Sequence, residues 1–189
     1  MKNIVIFASG NGSNAARIIR HFNGGNKAHV VAVICNNPNA FVLKRADELK
    51  VPSFVFNKEA LNYPDALLNK LKELKTDLIV LAGYLKLMPP IIVEHFTNRI
   101  INIHPALLPK YGGRGMYGMN VHKAVFDAHE NETGITIHYV NEKYDDGKII
   151  FQERVPVDEN DTPETIAEKV SELEKKNFTT VIEKVIDQL

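Results

Sequence analysis

A chain of 189 residues, 44% of them hydrophobic, can bury one substantial core and sits near the upper edge of an ordinary single domain, so one domain over residues 1–189 is expected. Lys plus Arg and Asp plus Glu are equal at 23 each, which argues against nucleic acid and membrane surfaces as partners. A small phosphorylated molecule remains open, because one local anion site needs no net positive charge.

The chain begins Met1-Lys2-Asn3 and continues with the short apolar run Ile4–Ala8, too brief for a signal segment and followed at once by glycines. No later run approaches membrane-spanning length, and the single cysteine, Cys35, allows neither an internal disulfide nor a cysteine metal cluster. Cys35 reads as a small buried hydrophobe, and the reducing cytoplasm is the expected location.

Short β-branched runs at Asn3–Ser9, His29–Cys35, Ser53–Phe56, Leu78–Leu81 and Ile100–His104 alternate with helical stretches, the rhythm of βαβ units. Between them, Leu67, Leu68, Leu71 and Leu74 form one apolar stripe while Asn69, Lys70, Lys72 and Glu73 face away, which predicts a helix over Pro64–Leu74. From Pro105 to Met119 the two prolines and four glycines read as loop, and a helix resumes near Asn120–His129. Strands at Gly134–Val140 and Lys148–Val155, joined by the polar turn Asn141–Gly147, suit an antiparallel pair. Thr162 can cap a last helix that starts with Pro163-Glu164 and runs toward Gln188. The expected fold is therefore α/β: a Rossmann-like, mostly parallel sheet with helices on both faces, a C-terminal antiparallel strand pair and a long final helix.

Two features carry chemistry. Ser9-Gly10-Asn11-Gly12-Ser13-Asn14 follows the first strand and opens a helix, so free backbone amides at the positive end of that helix can bind a phosphate. A tight turn capped by Ser13 or Asn14 explains the same residues equally well. There is no Gly-Lys-Ser/Thr tail for a nucleoside triphosphate, Ala15 replaces a third glycine, and Cys35-Asn36-Asn37 lacks the acidic residue of a dinucleotide site. A phosphoribosyl monoester fits such a loop better than a dinucleotide.

The second feature is Ile100-Ile101-Asn102-Ile103-His104-Pro105. A strand covered on both sides carries Asn and His only with partners, since an unpaired buried polar group costs ~1–3 kcal/mol. Period two puts Asn102 and His104 on one face, roughly 6.6 Å apart along the strand, at the end where open α/β sheets bind ligands. Neighbouring loops can satisfy both side chains, or both can converge on one ligand atom, with Asp145 in the later turn supplying a carboxylate to the imidazole.

Together, the glycine loop, Leu81-Ala82-Gly83-Tyr84-Leu85-Lys86-Leu87-Met88, Asn102-Ile103-His104-Pro105-Ala106-Leu107-Leu108-Pro109-Lys110-Tyr111 and Tyr144-Asp145-Asp146-Gly147 resemble the phosphoribosylglycinamide formyltransferases, folate-dependent enzymes of purine synthesis. The resemblance covers nearly the whole chain. It implies formyl transfer from 10-formyltetrahydrofolate to glycinamide ribonucleotide, with Asn102, His104 and Asp145 as the catalytic set and no metal. It also implies that Asn11, Gly12, Ser13, Asn14 and Glu174 hold the ribonucleotide, and that Leu85, Lys86, Leu87, Met88 and Asn102, with the turn residues Asn141, Glu142, Lys143, Tyr144 and Asp145, hold the folate. Asp146 stands where such chains carry a glycine, and the stretch Gly112–Met119 is longer than in compact relatives and suits a lid. On this reading a protonated His104, its pKa raised by Asp145, and the Asn102 amide meet the oxygen of a tetrahedral intermediate. A non-catalytic module for a nucleoside monophosphate explains the glycine loop alone and leaves Asn102, His104 and Asp145 without a shared purpose.

Overall fold

The computed structural model describes residues 1–189, with the side chains of Glu59 and Ala60 excepted. The chain order is β1 (Lys2–Ala8), α1 (Ser13–Phe22), β2 (Ala28–Cys35), α2 (Phe41–Glu48), β3 (Ser53–Val55), α3 (Lys58–Leu61), α4 (Pro64–Glu73), β4 (Leu78–Leu81), α5 (Pro90–His95), β5 (Ile100–His104), α6 (Met119–Asp127), β6 (Glu132–Tyr139), β7 (Ile149–Pro156) and α7 (Pro163–Ile186). The strands form one seven-stranded sheet in the order β3-β2-β1-β4-β5-β6-β7. The pairings from β3 through β5 are parallel, and β6 pairs antiparallel with both β5 and β7. This is the α/β architecture expected from the alternation of runs, including the antiparallel pair and the long last helix.

The sheet is apolar on both faces because both are covered, the usual condition of parallel strands. On one face Ile4, Ile6, Val30, Val33, Ile101 and Ile137 meet Ile18, Ile19 and Phe22 of α1 and Phe178, Val181 and Ile182 of α7. On the other, Val5, Phe7, Ile34, Ile79 and Leu81 meet Leu67, Leu68 and Leu71 of α4 and Ile92 of α5. The predicted leucine stripe of α4 is buried as its spacing requires, Leu74 being partly covered. Helix α7 opens with a reciprocal cap between Thr162 and Thr165, with Pro163 in the first turn.

The chain runs outward from β1 through β2 to β3, then returns to place β4 and β5 on the other side of β1. At this reversal a crevice opens at the carboxyl ends of the strands, lined by the loops leaving β1 and β4, which are joined by hydrogen bonds from Ser9 N–H to the Gly83 carbonyl and from Leu85 N–H to Ser9 Oγ. No helix among the described residues is long and apolar enough to cross a membrane.

Candidate active site

The crevice encloses about 830 Å³ and runs from the glycine loop at one end, past the end of β5, to the turn that follows β6 at the other. Its lining includes Gly10–Asn14 from the first loop, Gly83–Lys86 after β4, Asn102 and His104, Gly113–Gly118, Tyr144 and Asp145, and Glu174 on α7.

At the first end, Gly12 stands at the N-cap of α1 with φ 75°, and no side chain caps the helix. The alternative of a turn capped by Ser13 or Asn14 is thereby overturned. Asn14 is engaged elsewhere: its amide donates to Glu174 Oε2 at 2.8 Å, and its carbonyl oxygen accepts from Arg17 at 2.9 Å. Helix α2 clamps the loop, with Val42 N–H donating to the Gly10 carbonyl at 3.1 Å and the Arg45 guanidinium donating to the Asn11 carbonyl and side-chain oxygens at 2.9 and 3.0 Å. Burial pushes the Glu174 carboxyl above its ordinary range, against the lowering effects of the Asn14 hydrogen bond and the Arg17 charge.

At the centre, β5 presents Asn102 and His104 on one face, and Asp145 reaches them from the turn after β6. Asp145 Oδ1 lies 3.4 Å from the Asn102 amide nitrogen and 3.5 Å from His104 Nδ1. Its other oxygen accepts from the Gly113 N–H at 2.9 Å. Asp145 has φ 52°, and a Cβ on Gly147 would lie 1.6 Å from the Tyr139 carbonyl oxygen, so the turn takes its shape from a backbone that only glycine fits. Asp146 turns away, accepting from the Asn141 amide at 3.0 Å and pairing with Lys143. The carboxylate at the centre is therefore Asp145.

His104 is 3% exposed, and its Nε2–H donates to the Tyr111 carbonyl at 2.8 Å. A carbonyl only accepts, so this contact keeps the proton on Nε2 and leaves Nδ1, facing Asp145, as the nitrogen that ionises. Burial pushes the imidazole below its ordinary pKa, and the opposing charge of Asp145 is the smaller effect. The expectation that Asp145 raises the His104 pKa is thus corrected: the shift runs downward, because desolvation outweighs one carboxylate. For Asp145, burial alone would raise the carboxyl, but the His138 contact, the nearby His104 and the Gly113 amide outweigh it and hold the group below its ordinary value.

Three buried residues join this cluster without having been picked out from the sequence. His138 on β6 places Nε2 3.1 Å from the Asn102 amide nitrogen and 3.7 Å from Asp145 Oδ1, and donates from Nδ1 to the Tyr139 carbonyl at 2.8 Å. Thr136, two residues earlier on the same face, accepts from Leu108 N–H at 3.0 Å and donates to the Ala106 carbonyl at 2.7 Å. His122 on α6 lines the crevice, is 6% exposed, and lies below its ordinary pKa through burial and then the proximity of His104. The signal was available: Thr136 and His138 alternate at period two with the buried Ile135 and Ile137, as Asn102 and His104 alternate with Ile101 and Ile103 in β5.

At the far end, Leu85, Lys86 and Tyr144 line the crevice. Leu85 is 44% exposed, so its side chain is open to the crevice. Met88 does sit in the core, and Leu87 and the side chains of Asn141, Glu142 and Lys143 lie outside the lining.

Residues 2–182 match the model of the formyl transferase family. The chain belongs to that family. Within the formyl transferases it is 36% identical over 191 residues to the phosphoribosylglycinamide formyltransferase of Bacillus subtilis, covering 98% of this chain and 95% of that one. It is 39% identical over 194 residues to the chloroplastic phosphoribosylglycinamide formyltransferase of Arabidopsis thaliana, covering 99% of this chain and 66% of that longer one. Among solved formyl transferases, the phosphoribosylglycinamide formyltransferase of Streptococcus pneumoniae superposes with a TM-score of 0.86 at 34% identity, covering 98% of this chain and 99% of that chain.

Proposed function

We propose that this chain transfers the formyl group of 10-formyltetrahydrofolate to the amine of N1-(5-phospho-D-ribosyl)glycinamide, giving the formylated ribonucleotide and tetrahydrofolate in purine synthesis. The observation that carries the reading is the meeting of Asn102, His104 and Asp145 in one crevice, between an uncapped helix start and the end lined by Leu85, Lys86 and Tyr144. The names of the relatives support the same substrates.

The free amides and positive dipole end at Gly12–Asn14 suit the substrate phosphate, and Glu174, already bonded to Asn14, suits the ribose hydroxyls. Leu85, Lys86 and Tyr144 flank the folate ring, with the backbone of the 141–145 turn offering the hydrogen bonds that its ring edge needs. Small molecules are the partners, the cytoplasm is the location, and residues 1–189 act as one formyltransferase domain.

When the amine attacks the formyl carbon, the new C–N bond forms and the carbonyl pair moves onto oxygen. The Asn102 amide has one good hydrogen bond, to His138, and one long one, to Asp145, so the second N–H is the one free to turn to that oxygen. His104, its pKa lowered by burial, takes the proton shed by the attacking amine on Nδ1. Asp145 stabilises the imidazolium so formed, which returns the proton to the departing folate nitrogen as the C–N bond to the donor breaks. The test is direct: incubate the protein with both substrates and look by mass spectrometry for the formylated ribonucleotide and for tetrahydrofolate. Binding of both without product would remove the reading in favour of a non-catalytic binding module.

A further inference from the structure

We infer that Tyr111 is a positioning residue whose phenol, anchored on Glu130, holds the main-chain turn that keeps the proton of His104 on Nε2 and aligns Asp145. The inference rests on the proposed role of His104 as the group that accepts the substrate proton.

Four observations converge on this turn. Tyr111 has φ 56°, a left-handed conformation that a bulky residue adopts only when its surroundings enforce it. That conformation aims the Tyr111 carbonyl at His104 Nε2, 2.8 Å away. The phenol of the same residue donates to Glu130 Oε1 at 2.8 Å, and Glu130 also accepts from Lys110 at 2.7 Å. Two residues further on, the Gly113 N–H donates to Asp145 Oδ2, and Gly112 between them is closely packed, since a Cβ would lie 2.5 Å from Leu108 Cδ2 and 3.2 Å from Asp145 Cβ and would have to displace them.

The other end of the segment is pinned independently. Leu108 donates its N–H to Thr136 Oγ1 and accepts at its carbonyl from Gln152 Nε2, both at 3.0 Å. Between these internal bonds and the Glu130 anchor, the turn has little freedom. Glu130 itself is placed by the end of α6, where its N–H donates to the Val125 carbonyl at 3.3 Å.

The device has chemical work to do because the groups around His104 do not favour the useful tautomer by themselves. Asp145 is an acceptor 3.5 Å from Nδ1 and draws the imidazole proton to that side. His138 and His122, the other titratable neighbours, supply no acceptor that competes at Nε2. Among the described residues, the Tyr111 carbonyl is the acceptor that opposes Asp145. With the proton on Nε2, Nδ1 keeps a lone pair for the substrate; with the proton on Nδ1, the neutral ring cannot accept another there.

Two-bond ¹H–¹⁵N correlation spectra of the full, uniformly labelled protein read the tautomer directly, with the His104 signals assigned by their loss in His104→Gln. The wild type is expected to carry its proton on Nε2. In Tyr111→Phe, a share moves to Nδ1 and turnover falls about five- to tenfold, the effect of one lost hydrogen bond, with the KM for the ribonucleotide unchanged. Glu130→Ala should reproduce both changes. Glu130→Gln, which keeps an acceptor oxygen, and Lys110→Met should leave both near wild type. An unchanged tautomer in Tyr111→Phe, whether or not turnover falls, overturns the inference. Should the wild type transfer no formyl group, the function reading fails, while the tautomer comparison still decides whether the turn positions His104.

Discussion

Replacing Gly12 by alanine asks for two things the loop cannot supply. The first is a left-handed backbone at φ 75°, which costs an L-residue roughly 1–2 kcal/mol. The second is space: the new Cβ would lie 2.3 Å from Val42 Cγ2, 2.5 Å from Val42 Cβ and 2.9 Å from Val42 Cα. Overpacking of this kind typically costs about 1–3 kcal/mol. The sum, about 2–5 kcal/mol, corresponds to a fall in melting temperature of roughly 4–20 °C for a domain of this size. Relief comes by pushing the loop off α2, so the amides aimed at the substrate phosphate move with it. The KM for the ribonucleotide should therefore rise while that for the folate holds. Val42→Ala in the same chain removes the contact at Cγ2 but leaves those at Cβ and Cα and the backbone strain, so thermal unfolding of the four-protein cycle should show at most a small rescue. Gly10→Ala serves as control, because its Cβ would meet nothing within 4 Å. A Gly12→Ala protein with wild-type melting temperature and KM would refute the clamp by α2.

Asn102→Ala should lower turnover by about 10²–10³, the range for a single deleted oxyanion donor, and its effect combined with His104→Ala should fall short of the sum in free energy, read from steady-state kinetics. Asp145→Asn should cost turnover severely and Asp146→Asn little, since only the first faces His104; similar losses in both would contradict the geometry. Because burial places the His104 pKa below its ordinary value, activity should hold through neutral pH and fall only as the pH drops through that lowered value; a loss setting in near or above the ordinary histidine value would show the imidazole to be charged at rest. Glu174 is shifted the other way: its folded pKa lies above the unfolded one, so stability is fully present below the unfolded value and declines as pH rises through the folded one. Glu174→Gln should flatten that decline in unfolding curves and raise the ribonucleotide KM. If Gly113–Gly118, which line the crevice, act as a lid, a folate analogue should slow hydrogen exchange there, and unchanged exchange would remove that role.

The strands β4 and β5 have the bounds that their runs predicted, because a strand buried on both faces is written mostly in Ile, Val and Leu. β6 was harder to bound: it begins at Glu132, an exposed residue whose membership depends on pairing with Pro156 rather than on its own propensity. Asn102 and His104 were legible because polarity inside an apolar strand is conspicuous. Thr136 and His138 carry the same mark, yet a threonine raises β propensity and so reads as ordinary strand. The charge state of His104 was not legible, since it turns on how far burial outweighs Asp145. Nor was the part played by the Tyr111 carbonyl, a group every residue possesses, whose direction is set by a backbone angle.

The hydrogen bond between Asn14 and Glu174 joins the first helix to the last across 160 positions of sequence. During synthesis, the residues proposed for catalysis and the sheet that holds them are complete once β7 has emerged, but the pocket end at Glu174 is not, because α7 has yet to be made. A growing chain thus acquires its reactive groups before it acquires the full means of holding a ribonucleotide. The same ordering makes the docking of α7 the last step that the substrate itself can favour: ligand that bridges the glycine loop and Glu174 binds only the finished fold, and its concentration in the cell adds to the stability of that final contact.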